Sequence, residues 1–260
     1  MKRNIYYFCG MMTAKEIIRY MESLQNEEQR QGLMRFFKTG PGQYGEGDEF
    51  LGLKVPQTRQ IVKLSAGDTP LEEVPELLMS HWHEVRLCGL LILVARFEKL
   101  AKKRLEKDEA AINGRDAIVE MYLQHAERAN NWDLVDLSAP KIIGHWLMLP
   151  SQLGDKREIM DGLAASDNLW RQRMSIVCTL RTIQAGDASW CLRYAERHLH
   201  HPHDLMHKAV GWMLREMGKR CSMDLLRQFL ELHAHEMPRT ALRYAIEHMT
   251  DEERQHWMAR

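Results

Sequence analysis

The stretch RANNWDLVDLSAP, residues 128–140, places two carboxylates and an indole in a segment that has the apolar spacing of a packed helix. Trp132 and Asp136 are four residues apart, so both side chains project from one face of that helix. A carboxylate can stabilise a developing positive charge and accept a proton from water, and an indole face also attracts cations. These residue types at this spacing could therefore serve a reaction that builds up positive charge.

Asp136 has a second interpretation, because acids in helical proteins often only balance a neighbouring base. The pattern alone favours a structural acid that pairs with Arg173 or another neighbour. The alternative is a functional carboxylate in a groove that binds an anion. The elements that position Asp136 have to be considered before the two can be weighed.

Helix signals are dense along the chain, and strand signals are nearly absent. Thr13 and Glu16 form a capping box in TAKE, and Asn26 and Pro56 mark two further helix starts. Other predicted helix starts lie at Thr69-Pro70, Asp167, Asp204, Ser222 and residues 250–253. Together with apolar residues at every third or fourth position, these signals predict about a dozen short helices.

The chain also contains a helical repeat, seen in HEVRLCGLL, WDLVDLSAP, WRQRMSIVC, MHKAVGWML and TALRYAIEH. The ionic residues of these segments are Arg86, Asp136, Arg173, Lys208 and Arg243. Most of the intervals between them are 35 to 37 residues, which predicts an all-α solenoid of HEAT- or armadillo-like helical hairpins. We expect a single domain over residues 13–260, preceded by an N-terminal extension, 1–12, that need not be ordered.

In such a solenoid the equivalent positions should line one concave face, so Asp136 would interrupt a row of bases. Trp212 follows Lys208 by four residues, which repeats the spacing of Trp132 and Asp136, although a tryptophan at helical spacing is also common in a core. Nine Lys or Arg and four acids lie between residues 170 and 220. A basic face that carries indoles suits a nucleic-acid backbone.

Arg59 and Lys63 add a second candidate basic edge, because they are one turn apart after the helix start at Pro56. The alternative for this pair is an ordinary solvated helix face. The formal net charge of the whole chain is zero, which argues against a general polyanion binder but leaves a local basic groove possible.

Several other kinds of site and protein are disfavoured by the sequence. The histidines of RHLHHPHDLMH, residues 197–207, include no HExxH motif, so we expect no metal. The glycine-rich segment 39–52 lacks GxxxxGK[ST] and carries acids, which favours an ordered connector over a phosphate-binding loop. The five cysteines are scattered, as in a reducing cytoplasm, and no apolar run reaches membrane-spanning length.

Four pieces of the chain resemble the DNA alkylation repair glycosylases of the AlkD type, in the HEAT-like-repeat superfamily. They are GPGQYGEGDEFLGLKVPQTR, NNWDLVDLSAP, NLWRQRMSIV and HKAVGWMLREMGK, and they occur in the family's order between residues 26 and 245. The resemblance implies that Asp136 is the catalytic carboxylate. It also implies that Trp132 and Trp212 contact the backbone of the lesion nucleotide, with Arg173 contacting DNA beside them.

The family usually has two adjacent basic residues at this last position, whereas Gln172 precedes Arg173 here, which puts one phosphate contact in doubt. The resemblance implies a cofactor-free, monofunctional glycosylase that acts on duplex DNA containing cationic N3- or N7-alkylated purines. We expect Arg59, Lys63 and Lys208 to bind the DNA backbone, and the protein to be a cytoplasmic monomer without an obligate protein partner. The open groove suggests no base pocket, and the resemblance implies attack from the backbone side. The rival interpretation is a non-catalytic scaffold that binds DNA or a protein.

Overall fold

The computed structural model describes residues 13–260, and within this range the regular structure is helical. The only pairing of extended backbone there is an isolated bridge between Glu49 and Trp82. The predicted all-α fold is therefore confirmed for the described chain. The predicted extension, residues 1–12, lies outside the described residues.

The chain forms two compact units, of which the first ends at Ser138 and the second spans Ala139–Arg260. The helices of the first unit are α1 (Ala14–Ser23), α2 (Glu27–Phe36), α3 (Val55–Ser65), α4 (Val74–Leu78), α5 (His83–Leu100), α6 (Glu109–Gln124) and α7 (Trp132–Ser138). Short 3-10 turns lie at Leu71–Glu73, Lys103–Leu105 and Ala126–Arg128. A single domain over residues 13–260 stays a prediction.

Helix α5 is the central element of the first unit. It packs against α3, α4, α6 and α7. Its first twelve residues, from His83 to Val94, are all buried, so this helix is surrounded by neighbours on every side. The ionisable residues His83, Glu84 and Arg86 in that stretch are consequently buried and need partners inside the unit.

The glycine-rich segment 39–52 supplies some of those partners and forms the predicted ordered connector. The carboxylate of Glu84 accepts hydrogen bonds from the backbone N–H groups of Leu51, Gly52 and Leu53, each at 2.9 Å. Gly52 has a φ of +85°, and a Cβ there would meet a backbone oxygen of the α2 N-terminus at 2.1 Å. Only glycine permits this close turn, which anchors the segment on the start of α5.

The second unit begins with a π-helical turn at Pro140–Gly144. Its helices are α8 (Lys156–Ala164), α9 (Leu169–Val177), α10 (Leu180–Gln184), α11 (Ser189–Arg197), α12 (Asp204–Arg220), α13 (Met223–His233), α14 (Arg239–Ala245) and α15 (Asp251–Met258). Helix α12 packs against α9, α10, α11, α13 and α14. Consecutive helices contact each other at α8 and α9, α10 and α11, and α12 and α13, as expected of a helical repeat.

Four of the eight predicted helix starts are confirmed by capping hydrogen bonds. Thr13 and Thr250 both form capping boxes, and the side chains of Asn26 and Ser222 accept from backbone N–H groups of the first turn. Helix α12 begins at Asp204 as predicted, with His203 as its N-cap. The prediction at Asp167 was wrong by one residue, because Asn168 caps α9, and Thr69-Pro70 precedes only a 3-10 turn.

Candidate active site

Asp136 and Trp132 lie on α7, one helical turn apart, and both side chains are half-buried. The helix start is fixed by Asn131, which is fully buried and whose Oδ1 accepts a hydrogen bond from the Trp132 backbone N–H at 2.9 Å. Leu134 and Val135, between the two site residues, are buried in the core. The apolar positions of α7 thus face inward, and the indole and the carboxylate reach the surface of the unit.

Both residues line a pocket of about 460 Å³ inside the first unit. Its other lining residues are Leu33, Phe36, Phe37, Phe50, Leu53, Lys54, Val55, Pro56, His83, Glu84, Leu87, Asp133 and Leu137. The volume is in the range of small-molecule sites, and the lining is mainly apolar with a few charged groups. The sequence did not predict this cavity beside Asp136, and recognition of the lesion from the backbone side stays a prediction.

Aromatic rings form one continuous wall of the pocket. Phe37 stacks on Trp132 with ring centroids 5.4 Å apart, and on Phe50 at 5.2 Å. Phe36 meets the Trp132 ring edge-on at 5.9 Å and is 61% exposed. The Phe50 ring also stacks on the imidazole of His83 at 4.4 Å. Phe36 and Phe37, at the end of α2, therefore hold Trp132 in place, and Phe50 of the glycine-rich segment supports Phe37.

Behind this wall lies a buried network of two acids and two bases. Nδ1 of His83 is 2.8 Å from Oδ2 of Asp48, and Nε2 is 3.0 Å from Oδ2 of Asp133. The other Asp48 oxygen accepts a hydrogen bond from Arg86. Arg86 also donates to the carbonyl oxygen of His81 at 2.8 Å. The network joins the glycine-rich segment, α5 and the first turn of α7.

This network keeps His83 protonated at neutral pH. Burial alone would lower the pKa of His83, but the charges and hydrogen bonds of Asp133 and Asp48 outweigh it and raise the pKa to about 9. Burial would also raise the pKa of Asp48, yet its bonds to His83 and Arg86 lower it. Two anions and two cations therefore balance inside the unit, next to the helix that carries Asp136.

The raised pKa of His83 makes the stability of the first unit depend on pH. A histidine that binds its proton more tightly in the folded state adds most to the free energy of unfolding below pH 6.5. This added stability is lost as the pH rises through about 9. The shift corresponds to about 3 kcal/mol. In urea unfolding at pH 6 and pH 9.5, we expect the wild type to lose much of that stability, and His83→Gln to lose less.

His198 provides a matched control for that experiment. It is buried, and burial lowers its pKa to about 4, so it stays neutral between pH 6 and pH 9.5. Above about pH 7.5 a histidine of the unfolded chain is neutral as well, so His198→Gln should keep the loss of stability that the wild type shows between pH 7.5 and pH 9.5. A wild type whose unfolding free energy does not fall more steeply with pH than that of His83→Gln would contradict a protonated His83.

Arg86 does not belong to an exposed row of bases, although the repeat placed it there. Its side chain is 1% exposed and is bound to Asp48, Ser80 and His81. The repeat pattern correctly predicts that Arg86 lies on a helix. Its ion-pair partner, Asp48, lies 38 residues earlier in the chain, outside the repeat segments. Arg86 is a structural cation.

The predicted site residues of the second unit lie on α9 and α12. Arg173, on α9, is 4% exposed, and its guanidinium donates to the carbonyl oxygen of Leu205 at 2.6 Å. Trp212 and Lys208 lie on α12, and both are half-buried. The ammonium group of Lys208 is 2.7 Å from Asp204. The contacts of these residues with DNA stay predictions.

Arg59 and Lys63 lie on α3 in the first unit, and both side chains are exposed. Pro56 starts this helix as predicted, with Thr58, Ile61 and Val62 buried on its other face. The pair therefore forms a surface cationic edge. This placement is compatible with both interpretations, a phosphate contact and a solvated helix face.

Sequence reasoning missed most of the pocket and the whole buried network. Asp133 is the first acid of WDLVD, but nothing in the sequence connects it with His83, which is 50 residues earlier. Asp48 was seen only as an acid that disfavours phosphate binding in the glycine-rich segment. The one usable signal is Asp48, an acid among apolar and glycine residues. A buried acid needs a buried base, so its position could have predicted a buried ion pair.

The described residues, 13–260, offer neither a metal site nor a membrane-spanning helix. In that range no three His, Cys, Asp or Glu side chains converge in a way that could hold a metal ion. His201 instead pairs with Gln172, and His207 with the backbone of His201. None of the described helices combines the length and the apolar composition needed to cross a bilayer.

Comparison with known proteins identifies the family. The family model described as DNA alkylation repair enzyme matches residues 17–249. The chain belongs to this family. The match includes both units and all of the predicted site residues. Membership of the DNA alkylation repair enzyme family supports a role in the repair of alkylated DNA.

The fold agrees with that of a solved structure described as a predicted DNA alkylation repair enzyme from Enterococcus faecalis. The TM-score is 0.61 at 15% sequence identity, and the match covers 87% of this chain and 97% of the other. At this identity the match supports the helical-repeat fold. A comparison with curated proteins gives no match.

Proposed function

We propose that this DNA alkylation repair enzyme is a monofunctional glycosylase that removes cationic N3- or N7-alkylated purines from duplex DNA. The observation that carries the proposal is the placement of Asp136, a half-buried carboxylate on the same face of α7 as Trp132. Both residues border an aromatic pocket, and the helix beneath them is anchored by the buried network. This arrangement suits the stabilisation of a positive charge that develops at the surface of the unit.

The reaction needs a single carboxylate because the substrate is already cationic. The C1′–N bond of the nucleotide breaks, and its electron pair moves to the purine, which leaves as a neutral base. The sugar becomes an oxocarbenium-like cation, which the Asp136 carboxylate stabilises. Water then adds to C1′, and Asp136 accepts the proton that the water loses. The leaving base needs no general acid.

The other residues act around this step. Trp132 offers its indole face to the sugar cation, and an indole contact of this kind is favourable when the site excludes water. Trp212 and Arg173 are proposed to contact the lesion strand, and Arg59, Lys63 and Lys208 to bind backbone phosphates. We further propose that the enzyme works as a cytoplasmic monomer that requires no cofactor and no obligate protein partner.

The absence of strand cleavage distinguishes this reaction from a lyase reaction. In a duplex that carries one 7-methylguanine, we expect the wild type to leave an abasic site in an intact strand, so that the strand breaks only after hot alkali. Cleavage by the enzyme alone, with a sugar adduct trapped on a lysine by borohydride, would contradict a hydrolytic, monofunctional reaction.

Binding to duplex DNA should depend on salt through the exposed bases. If Arg59, Lys63 and Lys208 each neutralise one phosphate, log K against log[salt] should have a slope of about −3, at roughly −0.9 for each contact. A contact from Arg173 would bring the slope nearer to −4. We expect Lys63→Ala to reduce the slope by about one contact, measured by fluorescence anisotropy between 50 and 200 mM salt.

Lys219→Ala provides a control for this measurement, because Lys219 is an exposed lysine outside the proposed set. Its slope should equal that of the wild type. A wild-type slope near zero would instead favour the rival function, a scaffold that binds a protein partner.

A further inference from the structure

A second pocket lies in the first unit, beside the C-terminal half of α5, and we call it the α5–α6 pocket. Its volume of about 510 Å³ is in the range of small-molecule sites. Its apolar lining is formed by Ala66, Leu71, Ala95, Leu100, Gly114 and Ile118. Arg96, which also lines it, follows His83 on α5 by more than three helical turns, about 20 Å along the axis. The α5–α6 pocket is therefore separate from the pocket beside Asp136.

We infer that the α5–α6 pocket binds an aliphatic carboxylate, which is a small molecule with an apolar chain and one anionic end. The inference is independent of the proposed function, because none of the residues assigned to DNA binding or to base release lines this pocket. Three features carry it, namely cationic donors that are not used by the protein, an excess of bases in the adjacent segment, and a lining without other polar side chains.

The cationic donors belong to Arg96 and Lys99. The guanidinium of Arg96 is held by two backbone carbonyls, since Nε donates to Ala66 at 3.2 Å and Nη2 donates to Thr69. Neither Nη1 of Arg96 nor the ammonium group of Lys99 forms a hydrogen bond or an ion pair with another residue of the described range, 13–260. Because donors on a cation form strong hydrogen bonds with a carboxylate, these two groups provide an anion-binding end.

The segment that contains both cations is strongly basic. Residues 96–107 include six Lys or Arg and two acids, although the formal net charge of the whole chain is zero. The second half of this segment is held against α6 by Arg115, which is fully buried and donates to the carbonyl oxygens of Leu100 at 2.8 Å and Leu105 at 3.1 Å. The local excess of positive charge is therefore fixed beside the pocket, where it attracts anions.

The rest of the lining is apolar. Within the described chain, Arg96 and Lys99 are the only lining residues with polar side chains. The hydroxyl groups of a sugar or the amides of a peptide would lose their hydrogen bonds to water here without finding partners. An aliphatic chain loses no hydrogen bonds, and each methylene group that it buries should raise the affinity about fourfold.

Gly114 gives the pocket part of its room. It lies inside α6, where glycine is less favourable than alanine because it loses more conformational freedom on folding. A Cβ at this position would lie 2.9 Å from Cδ1 of Leu100. Glycine therefore costs helix stability here, and it keeps the end of α5 close to α6 without filling the pocket.

The inference can be tested with probes that share one chain and differ in charge. They are octanoate, the neutral octan-1-ol and the cationic octyltrimethylammonium. In calorimetric titrations of the full-length protein, we expect octanoate to bind roughly tenfold more tightly than octan-1-ol and the cation to bind most weakly. Decanoate should bind about tenfold more tightly than octanoate, because it buries two more methylene groups. Equal binding of the three octyl probes, or no binding of either carboxylate at millimolar concentration, would overturn the inference.

Two variants with matched controls locate the binding site. Ala95→Phe fills the pocket from α5 and should weaken the binding of octanoate and octan-1-ol alike, whereas Ala117→Phe, at an exposed position of α6 outside the lining, should change neither. Lys99→Gln should weaken only the binding of octanoate, and the exposed Lys15→Gln should have no effect. Octanoate binding that is unaffected by both pocket variants would place the ligand elsewhere and contradict the inference.

Membranes and duplex DNA also carry anions, so each is tested as an alternative occupant. Octanoate should bind with the same affinity in the presence of undamaged duplex, and Lys99→Gln should bind that duplex as the wild type does. Displacement of octanoate by the duplex would assign the pocket to DNA. Sedimentation with phosphatidylglycerol vesicles that Lys99→Gln abolishes, without binding of free octanoate, would assign it to a membrane surface. Either result would overturn the inference.

Discussion

Asp136→Asn is expected to release alkylated bases about two to three orders of magnitude more slowly than the wild type, the loss seen when one preorganised electrostatic group is removed. The amide keeps the shape of the side chain and can still form hydrogen bonds, but it carries no charge to stabilise the sugar cation. Binding to duplex DNA should stay the same or tighten, because an anion that faces phosphates has been removed. The melting temperature should change little.

Asp68→Asn is the matched control for this variant. Asp68 is an exposed acid in the same unit, so the substitution removes the same charge away from the pocket. Its excision rate should equal that of the wild type. If Asp136 were only a structural acid, Asp136→Asn would lose stability by up to a few kcal/mol, and activity would fall only in proportion to the folded fraction.

Asp48→Ala is expected to destabilise the protein by about 3–5 kcal/mol, the cost of leaving buried charge without its partner. Asp48 is 5% exposed and joins His83 to Arg86. Its removal leaves the two cations of the network with one anion, Asp133, and takes away one of the links between the glycine-rich segment and α5, while the bonds to Glu84 remain. Urea unfolding at pH 7 measures the loss.

Asp68→Ala serves as the control here too, since an exposed substitution without special contacts should change the free energy of unfolding by about 0.5 kcal/mol or less. A loss below about 1 kcal/mol in Asp48→Ala would contradict the buried network. Because His83 keeps Asp133 but loses Asp48 in this variant, its pKa should also fall, and the loss of stability near pH 9 should move to lower pH.

Local signals were sufficient to predict the helices. The helix-start signals each act within one helical turn, namely the capping boxes at Thr13 and Thr250 and the proline two residues after Lys54. Their effect can therefore be predicted from neighbouring residues. The start of α9 was misplaced at Asp167 because the adjacent Asn168 can also cap, and packing selects between the two. The repeat was predictable because it depends only on the spacing of similar segments.

The candidate site was predictable only in part, for a related reason. Trp132 and Asp136 lie within one turn, so their shared face follows from helical geometry. The pocket depends on α2, the glycine-rich segment and α5 meeting α7, which are contacts between residues far apart in sequence. Arg86 shows the same limit, because a base in a repeat can be an exposed contact or half of a buried pair.

The measurement that most directly tests the central claim is the release of free base from methylated duplex DNA, followed by mass spectrometry. We predict that the wild type releases 7-methylguanine and 3-methyladenine as neutral bases, while Asp136→Asn, folded and bound to the same duplex, releases them at least a hundredfold more slowly. Duplex binding by the wild type without base release, or equal release by Asp136→Asn, would contradict the account.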